Sequence, residues 1–269
     1  MLNNIKLFFK NFLLVRKILS IKNKLIIRSG LRFHIYDSIA DHEARKFFKT
    51  YLFEKINKSD KPIKILMIGS PGIQELKDLP KSELSKLKVT CVDKSNTFNF
   101  YDKLPLHEHK IIQKDVFDFF EENKEKYDII LNRWFLHHVS EEYKKTVCCR
   151  SFDILDKNGS FVIIDWFINN WKNKTDLFEM TKQFYDYRIK YFPHQKNKMH
   201  TKGRDKVSYW WDLINDNKNF SGGKHPSRNK IEEYMIEAGF INVTIEDIGD
   251  KKIIDNPFLW GHVAAYAEK

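Results

Sequence analysis

Residues 64–72 read KILMIGSPG and residues 88–93 read KVTCVD: an apolar run, a turn carrying Gly69 and Gly72, a connection of helical length, then a second apolar run ending on Asp93. Short runs that are apolar almost throughout mark strands buried on both faces. Similar runs recur at Lys110–Gln113, Asp128–Leu131 and Ser160–Asp165, again separated by segments of helical length. Before the fifth run, Ser140 stands at a cap position, Glu141 and Glu142 suit the positive first turn of a helix, and Asn158-Gly159 stops the chain. After residue 168 the alternation lapses. It resumes with a helix from Ser227 to Ala238, a stop at Gly239, and strands over 240–248 and 261–267. Strands alternating with helices imply an α/β fold with a doubly wound, seven-stranded, mostly parallel sheet.

Outward from this frame, residues 33–60 place Ile39, Ala44, Phe48 and Leu52 at helical spacing, and Asn57–Pro62 is a linker. The organisation expected is an N-terminal helical lid or extension over 1–60 and a main domain over 61–269, with a helical cap inserted at 168–226. The net charge of +11 is local: residues 1–32 hold eight Lys/Arg and no acid, and residues 168–230 hold fourteen against six. That pattern describes partner surfaces rather than the fold. In residues 1–27 the apolar runs are broken by Lys10 and Arg16, which fits neither a secretory signal nor a span of about 20 apolar residues. An amphipathic helix is expected there, with packing on the main domain weighed ahead of contact with a membrane surface. Three cysteines, Cys91, Cys148 and Cys149, suit neither a disulfide framework nor a metal site, so no metal and a reducing, cytoplasmic setting are expected.

A strand, a glycine-bearing turn, a helix and a second strand ending in an acid form a general nucleotide-binding device. The glycines bring backbone N–H groups close to the ligand, and the acid grips ribose hydroxyls. Here the turn is Gly69-Ser70-Pro71-Gly72 and the acid is Asp93, followed by Lys94. A second acid, Asp115, ends the third strand, and Val116 follows it. The series KILMIGSPG, CVDKS, QKDVFDF, YDIILNRWFLHHVSEE and LDKNGSFVIIDW resembles, in order and spacing, the motifs of class I S-adenosylmethionine-dependent methyltransferases of the small-molecule type. The resemblance covers residues 62–167 and 228–268. It implies a Rossmann-like fold and S-adenosylmethionine as cofactor. It also implies a cofactor site of Gly69, Ser70, Gly72, Asp93, Lys94, Asp115, Val116, Asn132, Arg133, Trp134 and Phe135. Two positions depart from the family pattern: Met67 replaces the usual acid two residues before the first glycine, and Pro71 removes a backbone donor from a shortened turn.

Methyl transfer from a sulfonium needs alignment and exclusion of water, with a base only where the acceptor must lose a proton. His138, His137 and His225 are the candidate bases, each weighed against a purely structural histidine. The 168–226 insertion is rich in aromatic residues and Lys/Arg, which suits an aromatic or lipid-like small molecule bearing an anionic group, or a substrate carried on an acidic protein. A homodimer is compatible with the sequence. Alternatives stay open: an RNA methyltransferase, disfavoured for want of a base-methylation motif; a non-catalytic member of the fold acting as a scaffold; and a reaction other than methylation on the same cofactor.

Overall fold

A computed structural model describes residues 35–69, 78–94, 104–167, 225–248 and 262–269, with Leu76 and a few positions between 170 and 205. Met1–Asp41 forms one compact unit and His42–Lys269 a second. The first elements are α1 (Ile35–Asn57), β1 (Ile63–Ile68), α2 (Lys81–Leu84), β2 (Leu87–Asp93) and β3 (Glu108–Gln113). After them come α3 (Val116–Glu122), β4 (Tyr127–Arg133), a 3-10 turn (Leu136–His138), α4 (Glu141–Ile154) and β5 (Leu155–Trp166). The chain closes with α5 (Arg228–Ala238), β6 (Ile241–Ile248) and β7 (His262–Glu268). The sheet order is β3-β2-β1-β4-β5-β7-β6. Strands β1 to β5 pair in parallel, and β7 runs antiparallel to both β5 and β6.

The apolar runs are continuous because both faces of the central strands are covered. On one face Leu66, Ile68, Ile130, Phe161 and Ile163 pack with Phe119, Phe120, Val147, Cys148, Ile231 and Met235 of α3, α4 and α5. On the other, Ile65, Met67, Ile129, Leu131, Val162 and Ile164 pack with Ala44, Phe48, Leu52 and Ile56 of α1. Met67 therefore sits inside an apolar layer.

Two local expectations need correction. Asn158-Gly159 does not end the helix: α4 stops at Ile154, β5 begins at Leu155, and Asn158 (φ +65°) lies in the irregular start of that strand, where its register against β4 shifts. Strand β3 is not buried on both faces, since it forms one edge of the sheet and its residues are exposed or half-exposed. Of the expected cap, the described residues include a two-stranded ribbon, His200–Thr201 with Arg204–Asp205. Most of the remainder, the stretch 1–27, Ser70 and Gly72 lie outside the described residues. Among the described residues no helix is long and apolar enough to cross a membrane.

Candidate functional site

The sheet order reverses direction between β1 and β4, and ligands of doubly wound sheets bind beyond the carboxyl ends of the strands at such a switch point. Gly69 follows β1 there. Its φ is +67°, and its N–H donates to the Val92 carbonyl of β2 at 3.0 Å. A Cβ on Gly69 would stand 2.5 Å from the Cβ of Phe135, so glycine is required both by its left-handed backbone and by this close approach. The space that the missing side chain leaves is filled by Phe135.

Asp93 ends β2 half-buried, and its carbonyl accepts the Lys114 N–H at 3.0 Å. Asp115 is the N-cap of α3: its Oδ1 accepts the Phe117 N–H at 3.0 Å, and Lys94 Nζ lies 3.6 Å from Oδ2. Val116 belongs to the core, and it is the neighbouring Phe117 that stays half-buried, its ring 5.6 Å from that of Tyr143.

Beside Gly69, at the end of β4, Asn132 pairs in register with Ile68. Its side chain is fully buried (0% exposed), and neither its Oδ1 nor its Nδ2 has a hydrogen-bond partner among the described residues. Such a group costs about 1–3 kcal/mol to bury unpaired. Arg133 is buried on the opposite face, and burial pulls its guanidinium down to about 9. That value still leaves it charged at neutral pH. The guanidinium lies 3.8 Å from the centre of the Trp134 ring. Trp134 has φ +51°, an outlier for a bulky residue, held by its N–H donating to the Ile164 carbonyl at 2.9 Å.

The 3-10 turn then carries the histidines. His137 Nδ1 lies 2.8 Å from Asp165 Oδ1, and its backbone N–H donates to Asp165 Oδ2 at 3.2 Å. Asp165, on β5, is 0% exposed. A carboxylate only accepts, so the neutral imidazole carries its proton on Nδ1 and leaves the Nε2 lone pair free. The His138 ring lies 4.0 Å from that of His137, and the buried His225 stacks on His137 at 5.9 Å and 20°. The three histidines singled out from the sequence are thus brought together.

Sequence reasoning missed what supports them. Asp165 lies one residue before the end of β5, much as Asp93 ends β2, a signal that was available. Lys144 was less legible, because it occupies the apolar face of α4 that also carries Val147, Cys148 and Ser151. It is 0% exposed, and its Nζ donates to Glu141 Oε2 at 2.6 Å. The Tyr234 hydroxyl of α5 donates to Glu141 Oε1 at 3.0 Å. Burial lowers the Lys144 ammonium from its ordinary range, and the charges of Glu141 and Asp165 act to hold it up. Among the described residues no three His, Cys, Asp or Glu side chains are grouped to hold a metal ion.

No family model and no curated protein matches this chain. Among solved structures, the magnesium protoporphyrin IX methyltransferase of Synechocystis, with bound SAH, is similar over 93% of this chain and 97% of its own, with a TM-score of 0.52 and 9% identity. A solved structure from Nostoc punctiforme is matched over 82% of this chain, with a TM-score of 0.46 and 16% identity. The cyclopropane synthase MmaA2 of Mycobacterium tuberculosis is matched over 74%, with a TM-score of 0.45 and 14% identity. This chain spans only 56% and 62% of those two proteins. At 9% identity the Synechocystis likeness is one of fold. The chain has the seven-stranded, Rossmann-like fold of the methyltransferases.

Proposed function

We propose that this protein is an S-adenosylmethionine-dependent methyltransferase acting on a small molecule. The observation that carries the reading is Asn132, a fully buried amide with both polar atoms unpartnered among the described residues, set beside Gly69 where the sheet order reverses. An amide in that position can donate to a carboxylate and accept from an ammonium, the two groups of the cofactor's amino-acid part. Asp93, at the end of the neighbouring strand, suits its ribose hydroxyls. The residues present therefore fit the cofactor.

When bound, S-adenosylmethionine would supply an electrophilic methyl group. The protein's own residues then have to position an acceptor and, where that acceptor carries an acidic proton, remove it. His137 is the residue for that step, because Asp165 fixes its Nδ1 proton and leaves Nε2 as the base. His138 and His225 flank it. The acceptor class proposed, an aromatic or lipid-like molecule with an anionic group, free or on an acidic carrier protein, rests on the composition of residues 168–226.

The packing of Phe135 over Gly69 and the use of Asp115 as a helix cap favour a second reading, a scaffold that has lost the cofactor. Calorimetric titration with S-adenosylmethionine and with S-adenosylhomocysteine separates the two. Micromolar binding, weakened by about 1–3 kcal/mol in Asp93→Ala through lost ribose hydrogen bonds, is the expected result. Absence of binding to either compound would leave the scaffold.

A further inference from the structure

A glycine turn serves a nucleotide-like ligand because a bare Cα lets the ligand come against the backbone. At Gly69 the protein's own side chain takes that approach. A Cβ there would stand 2.5 Å from Cβ, 2.7 Å from Cδ2 and 2.8 Å from Cγ of Phe135, so the root and one edge of the ring lie against the glycine. Those ring carbons fill volume that a ligand lying on Gly69 would need.

The ring is not sealed in the core. Phe135 is half-buried and packs at the edge of the apolar layer beneath α3, α4 and α5, whereas its neighbour Leu136 is 0% exposed within that layer. A ring with one side in water can leave by rotating about its Cα–Cβ bond, giving up only the contacts of its packed side. The backbone need not follow, because it is held on both sides of that bond. The Trp134 N–H donates to the Ile164 carbonyl at 2.9 Å, and the Phe135 carbonyl accepts the His138 N–H at 2.9 Å. Rotation would therefore leave His137 in place against Asp165. The bend that lays the ring on Gly69 is Trp134 itself, whose φ of +51° a bulky side chain avoids. Strain kept at such a position points from geometry to function.

We propose that Phe135 is a gate on the cofactor site: against Gly69 its ring excludes the ligand, and it swings aside to admit S-adenosylmethionine or S-adenosylhomocysteine. The proposal rests on the methyltransferase reading, and it makes the packing that favours a scaffold a property of a working site. The apparent affinity is then lowered by the fraction of time the gate is open, and shrinking the ring removes that cost.

The test is calorimetric titration of the full chain with S-adenosylhomocysteine, comparing the wild type with Phe135→Leu and Phe135→Ala, each checked for folding by circular dichroism. Affinity should rise from wild type to Leu to Ala by about tenfold in total, as for a gate closed about nine-tenths of the time. Should the alanine variant not fold, the leucine variant decides alone, with a rise of about threefold expected. Stopped-flow mixing should place the gain in the association rate, because a gate sets how often the ligand can enter. A gain confined to slower dissociation would mean that the ligand fills the space left by the ring, and would overturn the gate. A wild type that binds, beside folded variants that bind equally or more weakly, would also overturn it and make Phe135 a wall of the site, with the methyltransferase reading intact. Binding by the variants and none by the wild type would support the gate. No binding by any of the three would sink the gate and the cofactor reading together, since the uncovered turn would still hold no ligand.

Discussion

Asn132 couples stability and binding in one side chain. Its amide is sealed from water and unpartnered among the described residues, a cost that an apolar residue of similar volume would not carry. Asn132→Leu should therefore stabilise the protein by about 1 kcal/mol in urea denaturation, while lowering the affinity for S-adenosylmethionine by about tenfold or more. A variant that is destabilised and binds normally would remove Asn132 from the site. The opposite logic holds at Gly69, where the left-handed backbone and the Phe135 contact leave room for no other residue. From the sequence, a glycine that admits a ligand and a glycine that admits a neighbouring ring look alike. The two cannot be told apart until the segment after β4 is folded back over β1.

Among the elements, α3 depends on a residue that the family resemblance assigns to the cofactor. Asp115 caps it through Oδ1, and its pairing with the well-exposed Lys94 adds little. Asp115→Ala should cost about 1 kcal/mol of stability, the usual loss of an N-cap, whatever it does to binding. Asp115→Asn should restore most of that stability, because an amide oxygen caps as well as a carboxylate. Any difference in cofactor affinity between the Asn and Ala variants would then report on the ligand rather than on the helix. The 3-10 turn is the other decisive element. It is only three residues long, yet it aims His137 at Asp165 across two neighbouring strands and brings His138 and His225 alongside.

At the scale of the whole molecule, burial sets the behaviour at alkaline pH. The phenols of Tyr51 and Tyr127 are pushed up from 10.0 to about 12 by burial, and those of Tyr234 and Tyr266 and the Cys148 thiol are raised for the same reason. A group raised in the folded state contributes stability that is complete below its unfolded value and is lost as pH climbs through the folded one. Lys144 and Arg133 act in the opposite sense, since their folded values are lowered and the unfolded chain holds their protons longer. Among the described residues the raised groups outnumber them. Urea midpoints should therefore fall between about pH 10 and pH 12. A rise across that window would mean that the two buried cations dominate.

The sequence alone determined the layers: strands buried on both faces must be nearly continuous apolar runs, and that signal is local. It also determined the closing helix and strands, where Gly239 adopts the left-handed conformation that ends α5. The strand-end acids and the three histidines were legible as residue types. What only the tertiary structure decided is which of them meet. That Asp165 supports His137, that Lys144 lies buried on the same face, and that Asn132 is left unpartnered among the described residues beside Gly69 all depend on β4 sitting between β1 and β5. Strand order is fixed by packing between segments distant in the chain, and no periodicity within a segment encodes it.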